Sequence, residues 1–287
     1  MRGKFVKMLR RDLYRRIKDA LLTAGFPLID AREIYRIASG KNIFDTNFDE
    51  MADRPEVETA KKLTEKRMSG YPIQYICGSW SFLDFELEVN ENVLIPRPET
   101  ESVANCAIEI IKNSRMKRNI NVVDLCSGSG CIAIAISREI GNASVTAVEI
   151  SAGAYEVLTR NIKKLAPRVI PVLDDIFHYS ETIEDSCLDM IVSNPPYVSL
   201  NDYSALQKEL YYEPRIALCD EGDGLDYYRK ISEEYKRKLK KRGHIVFEVG
   251  DNMSDEVSLI LREYGYGNIK TMKDGFLNPR IVMAVND

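Results

Sequence analysis

The sequence predicts a mostly parallel, doubly wound α/β sheet preceded by a small helical bundle. Three observations carry that prediction. From Asn121 onward, short apolar runs alternate with stretches long enough to form helices, the order that builds βαβ units. Over the first seventy-odd residues the apolar positions recur at helical spacing instead. Between the two regions, an aromatic stretch and a Pro-Arg-Pro segment break both periods.

In the first region Phe5, Leu9, Leu13, Ile17 and Leu21 recur every four residues and make one apolar helix face. Lys4, Lys7, Arg11, Arg15 and Lys18 share the opposite face. Such a run is usually a solvated face, and a docking surface for an acidic or RNA-containing partner is the minority reading. A second helix is predicted from Asp30, where Asp-Ala-Arg-Glu has capping-box spacing, to Gly40. A third is predicted from Asp53-Arg54-Pro55 to Gly70, with proline in its first turn. The predicted division is a helical substrate-docking domain over 1–75, a β-hairpin linker over 76–98 and a sheet domain over 99–287.

Trp80, Phe82, Phe85, Leu87 and Val89 flank Asp84 as a hairpin would. Pro96-Arg97-Pro98 then fixes an extended segment, and a helix runs from Glu99 through Ile111. Either this is a rigid connector or it places Arg97 beside the neighbouring pocket. Strands follow at 122–125, 144–148, 169–173, 188–193 and 244–249, with helices at 132–140, 154–165, 225–239 and 255–264. Closing strands at 269–272 and 281–285 leave no room for a helix between them, so at least one is antiparallel. The cations from Lys236 to Arg242 are placed at a helix C-terminus, where they favour the dipole.

Composition narrows the function. The chain has 287 residues, 45% hydrophobic and 29% charged, with a formal net charge of −4. That balance argues against a large nucleic-acid footprint. The six cysteines form no CxxC pair, and His178 and His244 stand apart, so free thiols in a reducing compartment are expected and a metal site is not. No apolar run approaches a membrane span. Met1 to Lys18 is basic and amphipathic without a secretory core, so the expected location is the cytoplasm.

The chemistry-bearing residues fall at strand ends. Asp124-Leu125-Cys126-Ser127-Gly128-Ser129-Gly130 links a strand to its helix, where glycines let backbone N–H groups and the helix N-terminus approach a ligand. Glu149 ends the next strand, where a carboxylate can accept both hydroxyls of a ribose. Asp174-Asp175 ends the third on the same edge and could reach an adenine amino group, or be a solvated pair. By spacing alone, Gly128, Gly130 and Ala133 also fit a nicotinamide fingerprint, so the loop indicates a nucleoside without choosing which. Asn194-Pro195-Pro196-Tyr197 ends the strand at 188–193, and its prolines stop the ladder. It reads as a pocket for a planar amide or amino group, or as a strand-terminating turn with Asn as local cap.

The order of these features resembles class I S-adenosylmethionine-dependent methyltransferases. The tetrad is similar to that of amino-directed members acting on adenine, guanine or glutamine amides. Tyr71-Pro72-Ile73-Gln74-Tyr75-Ile76-Cys77-Gly78, the aromatic hairpin and Ile95-Pro96-Arg97-Pro98-Glu99-Thr100-Glu101 resemble the peptide chain release factor glutamine N5-methyltransferases (the HemK/PrmC family), over nearly the whole chain. Cys126 departs from a frequent glycine, and Ile176 from a tryptophan present in some members. The resemblance implies S-adenosylmethionine as donor and S-adenosylhomocysteine as product, held by Cys126, Ser127, Gly128, Ser129, Gly130, Glu149, Asp175, Ile176 and Asn194. It implies catalysis by Asn194, Pro195, Pro196 and Tyr197, with Arg97 also on the substrate. The partner implied is the Gly-Gly-Gln loop of release factors, met by a monomer with no nucleic acid or membrane. A ribosomal-protein glutamine methyltransferase, a nucleic-acid amino-methyltransferase and a binding module without turnover are the alternatives.

An amide nitrogen is a poor nucleophile because its lone pair is delocalised. Two acceptors on its two N–H bonds, Asn194 Oδ1 and the Pro195 carbonyl, would orient it and return electron density to nitrogen. Tyr197 is expected to pack on the amide plane.

Overall fold

The structure, a computed structural model, describes residues 7–114 and 119–287. Lys4 and Phe5 of the predicted first-helix pattern lie outside them. The chain divides into two compact units. The smaller comprises residues up to Ser79 together with Lys208–Tyr212, and the larger Trp80–Gln207 with Glu213–Asp287.

In the smaller unit, β1 (Met8–Leu9) leads into α1 (Arg10–Thr23), which buries Leu13, Ile17 and Leu21 as the four-residue repeat requires. Next is α2 (Leu28–Ser39), and then β2 (Met51–Ala52), which pairs antiparallel with β1. α3 (Arg54–Met68) follows and α4 (Ile73–Cys77) closes the unit. α3 starts as predicted: Asp53 accepts the Glu56 N–H, Glu56 reaches back to the Asp53 N–H, and Pro55 sits in the first turn. α2 corrects the sequence reading. It begins at Leu28, and Asp30 caps nothing because its buried carboxylate accepts from Arg67 Nε at 2.6 Å.

The larger unit opens with the hairpin β3 (Ser79–Phe82) and β4 (Phe85–Glu88). Phe82, Phe85 and Leu87 are buried in this unit's own core. Arg97 is extended and Pro98 opens α5 (Pro98–Asn113). The alternation then runs β5 (Ile120–Leu125), α6 (Cys131–Glu139), β6 (Ala143–Glu149), α7 (Ala152–Leu165), β7 (Ile170–Leu173), α8 (Ile176–Thr182) and β8 (Leu188–Ser193). After the short α9 (Leu200–Tyr203) and α10 (Arg215–Leu218) come α11 (Asp226–Glu234), β9 (Leu239–Glu248), α12 (Ser254–Glu263), β10 (Gly267–Lys273) and β11 (Pro279–Val285). The short helices α8, α9 and α10 were not predicted, since four to seven residues carry no readable period.

The seven strands order as β10-β11-β9-β8-β5-β6-β7. β9, β8, β5, β6 and β7 are parallel, and β11 is antiparallel to both β9 and β10, so of the two closing strands β11 alone runs against the set and β10 keeps its direction. One face of the sheet is covered by α5, α6 and α7, the other by α8, α11 and α12. The chain leaves β5 towards β7 and returns on the other side at β8. The carboxyl ends of the neighbours β5 and β8 therefore form the switch point, where such sheets open a crevice.

One helix ends earlier than predicted. α11 stops at Glu234 and β9 already begins at Leu239, so the cations from Lys236 to Arg242 do not end a helix. Lys238 donates to the Ile183 carbonyl and pairs with Asp185, and Lys240 pairs with Asp189 at 2.6 Å. These ties hold the segment extended alongside β8, across the register shift between Leu188 and Met190.

Candidate active site

At the end of β5, Asp124 is fully buried. Its Oδ2 accepts the Ala133 N–H at 3.1 Å and its backbone carbonyl the Ser127 hydroxyl at 2.8 Å. Its other oxygen, Oδ1, is buried with no hydrogen-bond partner among the described residues. Burial pushes the carboxyl up to about 7, against the pull of the Ala133 N–H.

The glycine loop is used differently from the expectation. The Gly128 N–H donates to Glu149 Oε2 at 2.8 Å and the Gly130 N–H to the Ser127 carbonyl at 2.8 Å, so neither is free for a ligand. Glycine is required at 130 for another reason. Its φ is +84°, and a Cβ there would lie 2.5 Å from Leu158 Cδ1, where α7 packs on the loop. Cys126 carries the same kind of demand without being glycine: its φ is +61°. That conformation is one that glycine adopts without strain.

Glu149 accepts from two backbone groups, Gly128 on Oε2 and Ser151 on Oε1, both at 2.8 Å. Burial raises its pKa and the two N–H bonds oppose the rise. Each carboxylate oxygen keeps a second lone pair, so a ribose diol can still be held. The Asp pair at 174–175 divides. Asp174 is taken by His178 Nδ1 at 2.9 Å, whereas Asp175 caps α8 through the Phe177 N–H and faces the cleft.

That cleft spans about 670 Å³ of space, counting the part open to solvent. Cys126, Gly128, Glu149, Asp175, Ile176, Asn194 and Pro196 all line it. The structure thus brings together predicted residues from the ends of β5, β6, β7 and β8. Leu94, Ile150, Phe177, Ile216 and Tyr227 also line it and were not singled out from sequence. Leu94 precedes the quoted Pro-Arg-Pro segment and was readable there; Ile216 arrives on the short α10, which carries no readable period, and Tyr227 in the first turn of α11. Ser127 and Ser129 line a smaller adjoining chamber of about 360 Å³, which shares Leu94, Cys126, Gly128 and Asn194 with the main cleft and is closed by Asp124 and Thr100.

Of the tetrad, Asn194 and Pro196 reach the cleft; Pro195 and Tyr197 are not among its lining residues. The Tyr197 ring lies against Gly250, where a Cβ would come within 3.0 Å of it. Arg97 is held by the buried Glu213, which also accepts the Ile95 N–H at 2.9 Å. Two polar residues to which the sequence reading gave no role of their own, Thr100 and Glu248, complete the site. Asn194 Nδ2 donates to Thr100 Oγ1 at 3.3 Å, and Thr100 donates to Glu248 Oε2 at 2.6 Å. Glu248 had a signal: a lone acid ending the apolar run Ile245-Val246-Phe247.

These residues fit S-adenosylmethionine. The orphaned buried oxygen of Asp124 supplies an anionic acceptor for an ammonium group, Glu149 acceptors for a ribose, and Asp175 together with Ile176 and Phe177 a polar and apolar rim for a base.

The sequence matches the family described as "Methyltransferase small domain" over residues 105–245. It is 32% identical over 280 residues to the release factor glutamine methyltransferase of Fusobacterium nucleatum, covering 95% of this chain and 78% of that one. It is 33% identical over 280 residues to the release factor glutamine methyltransferase of Streptococcus pneumoniae, covering 95% and 97%. The fold is similar to a methyltransferase from Pyrococcus furiosus at a TM-score of 0.50 and 15% identity, over 80% of this chain and 98% of that one. A nicotinamide-binding reading of the glycine loop falls away. With this sheet, this cleft and these relatives, the chain belongs to the release factor glutamine methyltransferase family, on a class I methyltransferase fold.

Proposed function

We propose that the protein transfers a methyl group from S-adenosylmethionine to the side-chain amide nitrogen of the glutamine in the Gly-Gly-Gln loop of a peptide chain release factor. The observation that carries this reading is the Asn194 carboxamide at the wall of a nucleoside-shaped cleft, with its NH2 engaged by Thr100. Among the described residues its Oδ1 has no partner, which leaves an acceptor for a substrate N–H.

Bound in the cleft, S-adenosylmethionine supplies a methyl group already activated by a sulfonium. The protein then has to hold and orient. Asp124 and Glu149 anchor the donor, Asn194 Oδ1 accepts one N–H of the substrate amide, Pro196 closes the wall beside it, and the Pro195 carbonyl, which does not line the cleft itself, takes the second N–H once the substrate is seated. Orienting a neutral nitrogen in line with its electrophile supplies most of the rate, so no strong base is required before transfer. As the N–C bond forms, the methyl C–S bond breaks with its electron pair left on sulfur, and the amide gives up one proton to water. The Tyr197 ring rests against Gly250, a contact that supports a role for it in fixing the tetrad's backbone.

The test is transfer of labelled methyl to three targets: a release factor, the same factor with its Gly-Gly-Gln glutamine replaced, and bulk DNA and RNA. Label on the intact factor alone is expected. Label on nucleic acid, or on a ribosomal protein but no release factor, would overturn the substrate. Asn194→Ala is expected to lower kcat by about a hundredfold or more with cofactor affinity little changed.

A further inference from the structure

Three groups run inward from the cleft wall: the half-buried Asn194 and the buried Thr100 and Glu248. Thr100 and Glu248 are 2% and 1% exposed, and they come from α5 and the end of β9, elements 148 residues apart in the chain. A threonine hydroxyl has one proton. If that proton points to Glu248, Oγ1 can only accept from Asn194, which must then present its NH2 inward and its oxygen to the cleft. If Glu248 carries the proton instead, it donates to Thr100, the Thr100 proton turns to Asn194, and the amide reverses.

We propose that Thr100 and Glu248 are positioning residues that select which end of the Asn194 carboxamide meets the substrate, the ionised Glu248 presenting Oδ1 and the protonated one presenting NH2. The proposal rests on the site assignment made above and deepens it. It also gives a function to Thr100 within Pro-Arg-Pro-Glu-Thr-Glu, a segment the cleft lining itself leaves unexplained. Only the ionised state yields an acceptor for a substrate N–H. The reversed state sets two donors against each other.

The chain of bonds is poised to change with pH. Burial pushes Glu248 up to about 7, opposed by the Thr100 hydrogen bond and by Arg280. The groups facing it are Glu99 and Thr100 on α5, Arg97 just before that helix, Arg280 on β11, Tyr197 after β8 and Cys131 on α6. Tyr228 on α11 donates to the Glu248 backbone carbonyl at 2.8 Å, which leaves the carboxylate to Thr100. Because the folded value lies above the ordinary carboxylate range, the productive orientation is filled as pH rises through about 7 and emptied below it.

The test reads Asn194 without turnover. In heteronuclear NMR spectra of the free enzyme, the side-chain NH2 signals of Asn194 are assigned by their loss in Asn194→Ala. They are expected to titrate together with the Glu248 carboxyl. In Glu248→Gln that titration should vanish, and the rise of kcat over the same pH range should vanish with it. Thr100→Val should lower kcat about tenfold or more while leaving KM for S-adenosylmethionine within about threefold, and Thr100→Ser should restore it. Persistence of the Asn194 titration in Glu248→Gln, or an unchanged kcat in Thr100→Val, would overturn the proposal. Full kcat in Asn194→Ala would instead overturn the site assignment, since the NMR titration stands independently of catalysis.

Discussion

Glu149 Oε2 accepts the Gly128 N–H at 2.8 Å, so one carboxylate at the end of β6 holds the glycine loop that follows β5. Its second oxygen holds Ser151 at the start of α7. In Glu149→Gln the side-chain NH2 must face one of those two N–H groups, so one bond is lost and two donors are opposed. Hydrogen bonds to a charged group contribute roughly 1.5–3 kcal/mol, so cofactor affinity should fall about ten- to hundredfold. Calorimetric titration with S-adenosylhomocysteine checks this. An unchanged affinity would remove Glu149 from the cofactor site.

Gly224 and Gly265 separate backbone strain from close approach. Both have positive φ, +89° and +77°, but a Cβ at 224 would lie 2.6 Å from the Tyr197 carbonyl, whereas at 265 the nearest atom is the mobile end of Lys236 at 3.5 Å. Gly265→Ala should therefore cost only the left-handed strain, about 1–2 kcal/mol. Gly224→Ala should cost more and should also lower kcat, because the carbonyl it displaces belongs to the tetrad. Urea unfolding and steady-state rates on the pair decide the matter. Equal effects on both would mean the contact with Tyr197 carries nothing.

Cys126 is a non-glycine residue at φ +61° on the cleft wall. Cys126→Gly relieves left-handed strain of about 1–2 kcal/mol and gives back part of it, up to about 1 kcal/mol, through the greater freedom of glycine in the unfolded chain. The expected result is a slightly raised melting temperature with cofactor affinity retained. A lower melting temperature would show that the thiol's packing outweighs the strain.

In the helical unit, Arg67 and Asp30 form an ion pair with side chains 4% and 2% exposed. Arg67 also pairs with Glu209 at 2.8 Å and donates to the Tyr71 carbonyl at 3.1 Å. Arg67→Ala strands a buried carboxylate and should destabilise this unit by about 3–5 kcal/mol. Replacing both partners, as in Arg67→Met with Asp30→Leu, should cost far less. Thermal unfolding of the single and double variants gives the comparison, and a double variant no better than the single would contradict it.

Asp30 also shows where sequence reading reached its limit. Capping-box spacing is a local signal, and the box that forms does so at Asp53, a helix start the sequence reading marked by its first-turn proline instead. It failed at Asp30 because the residue that claims that carboxylate is 37 positions distant. The same contrast holds at the cleft. Glu149, Asp175 and Asn194 were legible because each ends a strand whose apolar run is visible in the sequence. Thr100 and Glu248 were not read as a pair, since their meeting depends on α5 crossing the end of β9.

By itself, then, the sequence determined what periodicity and chain order encode: the alternation of strands and helices, the antiparallel close, the capped third helix and the polar residues at four strand ends. Tertiary structure alone decided which backbone donors were already engaged, that Asp174 turns to His178 while Asp175 faces the cleft, that Tyr197 rests on Gly250, and which way the Asn194 amide is held. The physical reason is the range of the interactions. Helix and strand preferences act over a few residues, whereas a buried hydrogen bond is settled only when distant segments share the same few ångströms.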